Sequence, residues 1–269
     1  MKGVDISHYQ KGLAIRQLKD AGYDFAIIKL TEGVSIVDKA AFDFYREAYE
    51  LGFPVGCYCY SHATTAKEAA AEAGHLLDTL RGFPMPCGIF LDAEEPKQLA
   101  LSDKALREIA DAWCGAVRAA GYVPGIYGSE YNLWAKLNPD ALPADCLVWV
   151  AHYGRAPDLP CDLWQSGDNG RIAGYDGPVD TDEARSERFR RLAEIPPQSA
   201  APTAPPEGIP PQPAAPTAPP EGEPGPNPSV MVLQLLMNYN GCWDKVDGIG
   251  TGAFFTALRD FTDRLEGER

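Results

Sequence analysis

The 269-residue chain lacks any run of about 18 consecutive apolar residues, so the sequence contains no candidate membrane-spanning helix. It is also poor in cations, with 24 Lys and Arg against 38 Asp and Glu and a formal net charge of −14. No basic cluster offers a footprint for nucleic acid or an anionic membrane. No pair of cysteines is spaced as Cys-x-x-Cys, and the histidines His8, His62 and His152 stand on separate segments, so no metal is expected. No glycine-rich dinucleotide fingerprint follows the first strand-like segment, and no cofactor is expected. Full internal pairing of the seven cysteines is impossible. The chain starts at Met1 without an apolar leader, and together these features point to synthesis in a reducing cytoplasm.

What is abundant is proline, and it is concentrated. Fourteen of the 24 prolines fall between Pro196 and Pro228, a stretch without an aromatic, Lys or Arg. Ala-Pro-Thr-Ala-Pro-Pro-Glu-Gly occurs there twice, at 201–208 and 215–222. Such a segment cannot bury enough surface to offset the entropy of ordering, and it reads as an extended spacer. Apolar sequence resumes at Val230. The expected organisation is a domain over 1–195, a linker over 196–228 and a small helical piece over 229–269.

The large domain has a rhythm. Gly22, Gly52, Gly82 and Gly121 each close a helix-like stretch and precede an apolar run. Glycine in that place suits the left-handed residue that ends a helix. Strands are expected at 3–7, 25–31, 54–60, 87–94, 123–128, 147–153, 163–167 and 179–181. Helices are expected near 12–21, 38–51, 65–81, 102–120 and 130–137, and they fade after Tyr153. Near-continuously apolar strands of this kind are buried on both faces. The expected fold is α/β, an irregular TIM-like βα barrel with fewer helices than strands, with an open doubly wound sheet as the alternative.

In such a barrel the chemistry sits at the C-terminal strand ends. The sharpest feature there is Leu91-Asp92-Ala93-Glu94. Side chains two apart on a strand point the same way, so Asp92 and Glu94 would share a cavity. Neighbouring carboxylates raise each other's proton affinity and yield an acid usable near neutral pH. Glycoside hydrolysis needs such a pair. Asp5 and Asp180 fall at other strand ends. Tyr58, Tyr60, Tyr127, Trp149 and Trp164 supply rings that could stack on sugar faces, with His152 and Gln165 as polar neighbours. No nucleophilic triad is visible.

In order, the segments Val4-Asp5-Ile6-Ser7-His8-Tyr9-Gln10, Ile28-Lys29-Leu30-Thr31-Glu32-Gly33, Val55-Gly56-Cys57-Tyr58, Leu91-Asp92-Ala93-Glu94, Gly125-Ile126-Tyr127-Gly128-Ser129, Trp149-Val150-Ala151-His152-Tyr153, Leu163-Trp164-Gln165 and Val179-Asp180 resemble glycoside hydrolase family 25, the Chalaropsis-type lysozymes. The resemblance covers nearly all of residues 3–183. It implies cleavage of the β-1,4 bond between N-acetylmuramic acid and N-acetylglucosamine of bacterial peptidoglycan. It implies Glu94 as general acid, Asp92 as its assistant, Asp5 and Asp180 as further active-site acids, and Glu32 and Tyr58 as substrate-site residues. Of the routes open to it, one assisted by the substrate's acetamido group is favoured. Cys59 stands where His is frequent, and Asp182 where Asn is frequent. Residues 229–269 resemble a shortened peptidoglycan-binding domain, with pairing between copies as an option for so small a unit. The implied setting is a phage or prophage endolysin of a Gram-positive host, released from the cytoplasm to act on the wall. The competing readings are an inactive wall-binding barrel and an amidase or endopeptidase.

Overall fold

The computed structural model describes residues 1–80 and 82–197. Most of the expected linker and the expected helical piece over 229–269 lie outside the described residues. Eight strands close a barrel: β1 (Lys2–Ile6), β2 (Phe25–Glu32), β4 (Val55–Tyr60), β5 (Ile89–Asp92), β6 (Pro124–Ser129), β7 (Leu147–Ala151), β8 (Leu163–Gly170) and β9 (Val179–Ala184). A two-residue strand, β3 (Ile36–Val37), folds back against β2. Closure comes from parallel pairing of β1 with β2 and antiparallel pairing of β1 with β9.

The helices are α1 (Ile15–Asp20), α2 (Ala41–Leu51), α3 (Ala66–Leu80), α4 (Pro96–Leu99), α5 (Asp103–Ala119) and α6 (Glu187–Ala193). The glycines that punctuate the sequence all have positive φ, and Gly52 shows why: at φ 60° its N–H closes α2 on the Ala48 and Tyr49 carbonyls. The helix expected over 130–137 is instead a short π-helical turn, Glu130–Trp134. The four-residue α4 and the terminal α6 were not expected.

Strands β1, β2 and β4 to β8 run parallel, whereas β9 is antiparallel to both neighbours. Residues 171–178 between β8 and β9 contain no helix. So short a link cannot cross over to start another parallel strand, and it returns as a hairpin.

The interior is packed, not hollow. Phe25, Ile27, Phe90, Leu147, Trp149 and Leu163 fill it, and Phe189 and Ala193 of α6 join the same cluster. Two glycines make the room. A Cβ on Gly3 would lie 2.1 Å from the Phe25 ring, and one on Gly125 would lie 2.3 Å from the Phe90 ring. With the apolar residues filling the barrel below, the polar inward-facing residues collect at the C-terminal ends of the parallel strands. No helix among the described residues is long and apolar enough to cross a membrane.

Candidate active site

Strand register brings the polar inward positions together. Tyr60, Asp92, Tyr127 and Trp149 follow one another across β4, β5, β6 and β7, and Asp5 on β1 lies opposite Asp180 on β9. Asp5, Asp92 and Asp182 are 6%, 5% and 1% exposed.

The deep part of the site is tied by hydrogen bonds. The Gln165 amide donates to Asp5 Oδ2 at 2.8 Å. Its carbonyl oxygen accepts from the Tyr127 hydroxyl at 2.8 Å and the Tyr153 hydroxyl at 3.0 Å. With the oxygen held by two donors, the NH₂ group has one orientation left, toward Asp5. The Trp149 indole N–H donates to Asp182 Oδ1 at 2.8 Å.

The rim carries the opposite charge as well. Lys29 Nζ pairs with Glu32 at 2.7 Å and lies 5.2 Å from the centre of the Tyr60 ring. The His62 ring sits between Glu32 and Glu95, 3.2 Å from each. Its loop is fastened from behind by Glu72 of α3, which accepts from the His62 N–H at 2.9 Å and from the Ser61 hydroxyl at 2.6 Å.

The electrostatics divide the carboxyls. Burial, then the charges of Glu94 and Asp5, hold Asp92 well above the usual carboxylate range, against the pull of Lys29. Burial and then Asp180 push Asp5 up to about 8, against the pull of the Gln165 hydrogen bond. Glu94 reaches solvent, but partial burial of its carboxyl and then Asp180 raise it, and Lys29 lowers it. Glu32 goes the other way, because the Lys29 hydrogen bond favours its charged form. Tyr60 is pushed up to about 12 by burial and by Glu94, Glu95, Asp92 and Glu32. These carboxyls therefore act on one another across a single mouth.

The expected site residues fall into three groups. Asp5, Asp92, Glu94, Asp180, Glu32, Tyr58, Tyr60, Tyr127 and Gln165 gather at the mouth. Strand alternation was only part of the reason for Asp92 and Glu94, since β5 ends at Asp92 and Glu94 lies in the irregular segment beyond it, exposed. Trp149, 1% exposed, forms the floor under the carboxyls, with its ring centre 4.4 Å from that of Tyr127. His152 and Trp164 are not brought to the mouth. Each is one residue out of phase with an inward neighbour, Trp149 to Ala151 for the one and Gln165 for the other. His152 instead pairs with Glu130, and the Trp164 indole donates to the His152 carbonyl at 2.7 Å.

Three further residues belong to the site: Lys29, Tyr153 and Asp182. The signal for Asp182 was available, because it is two residues from Asp180, the same spacing that singled out Asp92 and Glu94. Lys29 and Tyr153 also stand at strand ends in the sequence, Lys29 as a cation inside an apolar run. Among the described residues, no group of three or more His, Cys, Asp or Glu is arranged to hold a metal ion.

The family model "Glycosyl hydrolases family 25" matches residues 4–175, a span that includes Asp5, Asp92 and Glu94 and ends before Asp180. A protein of Clostridium acetobutylicum named autolytic lysozyme is 28% identical over 188 residues, 68% of this chain. That match spans only 55% of the clostridial protein's length. The crystal structure of a bacterial lysozyme from Streptomyces coelicolor superposes with a TM-score of 0.63 at 26% identity, covering 74% of this chain and 98% of that one. The catalytic domain of the endolysin ply40, from bacteriophage P40 of Listeria monocytogenes, superposes with a TM-score of 0.61 at 26% identity, covering 72% and 97%.

Proposed function

The chain belongs to glycosyl hydrolases family 25, and from that premise we propose that it is an N-acetylmuramidase. On this reading it hydrolyses the β-1,4 bond between N-acetylmuramic acid and N-acetylglucosamine in bacterial peptidoglycan. The observation that carries the reading is Glu94: a solvent-reaching carboxyl beside buried ones, with its proton affinity raised by partial burial and by Asp180. A group that meets a polymer must be reachable, and a general acid must hold its proton near the working pH. Glu94 is reachable, and its proton affinity is shifted in the direction a general acid needs.

The chemistry follows from the placement. Glu94 donates its proton to the glycosidic oxygen as the bond to the anomeric carbon breaks. Positive charge develops on the sugar ring, and the negative charge shared among the crowded carboxyls Asp5, Asp92 and Asp180 favours it. In the route assisted by the substrate, the acetamido oxygen bonds to the anomeric carbon, and Asp92 orients the acetamido N–H. Glu94, now a carboxylate, takes a proton from the water that opens this intermediate. Tyr58, Tyr60 and Tyr127 line the approach, with Glu32 held in its charged form by Lys29.

The names borne by the Clostridium and Streptomyces proteins support the activity, and the phage endolysin neighbour supports a role in lysing a host from within. The proline-rich segment is the tether of a wall-binding unit over 229–269, which raises the local concentration of substrate.

The reading is tested by digesting purified peptidoglycan and measuring new reducing ends against new free amines, with Glu94→Gln and Asp92→Asn in parallel. Reducing ends that fall about 10³-fold in Glu94→Gln, with KM little changed, are expected. New free amines would mean amidase or endopeptidase chemistry, and unchanged activity in both variants would rule out this site.

A further inference from the structure

Asp182 is unlike the other acids of the site. It is 1% exposed. One carboxyl oxygen accepts from the Trp149 indole, and the other is buried with no hydrogen-bond partner. Asp182 forms no ion pair with a Lys, Arg or His among the described residues. The groups that face it are the Asp5 carboxyl from β1, Asp180 from its own strand and the Trp149 indole from β7. Its register partner Gln165, on β8, is already committed to Asp5, Tyr127 and Tyr153. Asp5 itself faces Asp180, Gln165, Asp182 and Glu94.

Two carboxyls in contact, buried and without a cation, cannot both be ionised at tolerable cost. An ionised Asp182 would also leave its second oxygen desolvated and unpaired. A proton on that oxygen removes both problems, because a carboxylic acid can donate where a carboxylate can only accept. Each carboxyl accepts one N–H, Asp5 from Gln165 and Asp182 from Trp149, and Asp182 is the better place for the proton because it is the deeper of the two and its second oxygen is the unpartnered one. Resting on the hydrolase reading, we propose that Asp182 is a positioning residue that carries a proton in the working enzyme and donates it, as a hydrogen bond, to the Asp5 carboxylate, aiming that carboxylate at the mouth of the barrel. Burial and the neighbouring Asp5 charge both push Asp182 well above the usual carboxylate range, consistent with this assignment.

Loss of this proton sets a functional limit at high pH. Two adjacent anions then repel, and Asp5 leaves its position. An asparagine at 182 keeps the donor and cannot lose it.

Two measurements on the full chain decide the matter. The first is carbon-13 NMR of the side-chain carboxyls, with the Asp182 resonance assigned by its disappearance in Asp182→Asn. A resonance that stays at the protonated position through pH 7 is expected, and a carboxylate resonance from pH 5 upward would overturn the proposal. This readout does not depend on activity, so it stands even if peptidoglycan is not cleaved and the hydrolase reading fails. The second is the pH profile of kcat and KM on purified peptidoglycan for Asp182→Asn and Asp182→Ala, with thermal melting to confirm folding. Asp182→Asn is expected to keep kcat within about tenfold, with its alkaline limb moved up by roughly one pH unit or more. Asp182→Ala is expected to lose more than about tenfold in kcat with KM little changed. An Asn variant that is folded yet as impaired as the Ala variant, or whose alkaline limb does not move, would overturn the proposal.

Discussion

Gln165 commits its carbonyl oxygen to two tyrosine hydroxyls, and its NH₂ group is thereby aimed at Asp5. Gln165→Glu replaces that donor with an acceptor facing a buried carboxyl. A fall of about 10²-fold in kcat and a lower melting temperature are expected, read by steady-state kinetics and calorimetry. Asp5 makes a separate prediction through its proton. Burial and Asp180 push Asp5 up to about 8 against an ordinary 3.8, and Asp182 is raised beside it, so the native Asp5–Asp182 pair holds the proton they share more tightly than the unfolded chain does. The stabilisation is complete below about pH 4 and is lost as the pH rises toward 8. The stability of the wild type relative to Asp5→Asn should therefore fall across that window, by up to about 1.4 kcal/mol per pH unit. Denaturant melts at a series of pH values check this, and a flat difference would contradict it. At this scale much of the site was legible. Asp5, Asp92, Glu94 and Asp180 all stand at strand ends, where composition and spacing single them out. Trp149 and Trp164 were not separable in the sequence, because which face of a strand looks inward depends on the register across the whole sheet.

At the scale of elements, the barrel is fitted around its aromatic rings. Gly125 on β6 leaves the space that the Phe90 ring of β5 occupies, and Gly125→Ala puts a methyl 2.3 Å from that ring. A loss of about 1–3 kcal/mol is expected in denaturant unfolding. Helix α6 is fastened by Arg188, which donates to Asp162 at 2.6 Å through Nε and to the Cys146 carbonyl at 2.7 Å. Asp162 also accepts from the Val148 N–H and the Ser186 hydroxyl, at 2.8 and 2.6 Å. Arg188→Ala should cost about 2 kcal/mol, since it leaves a buried carboxylate without its cation. The strands were readable because parallel strands buried on both faces are apolar runs, and the helix ends were readable from their glycines. The antiparallel β9 was not, since direction is set by the length of the link before it. Nor was α6, a seven-residue helix whose packing partners lie elsewhere in the chain.

For the whole molecule, the net charge of −14 combines two unlike features. Most of it lies in residues 1–195, where several acids crowd one mouth, and a smaller part is spread over residues 196–269. If the proline-rich segment tethers a wall binder, a chain ending at Ile195 should cut soluble glycan fragments at an unchanged kcat and insoluble walls about 10²-fold more slowly. The central claim is the bond that is cut. It is tested most directly by digesting purified peptidoglycan, reducing the products with borohydride and identifying the new end sugar by mass spectrometry. The account predicts reduced N-acetylmuramic acid ends from the wild type and essentially none from Glu94→Gln. Reduced N-acetylglucosamine ends, or peptides released without new sugar ends, would contradict it.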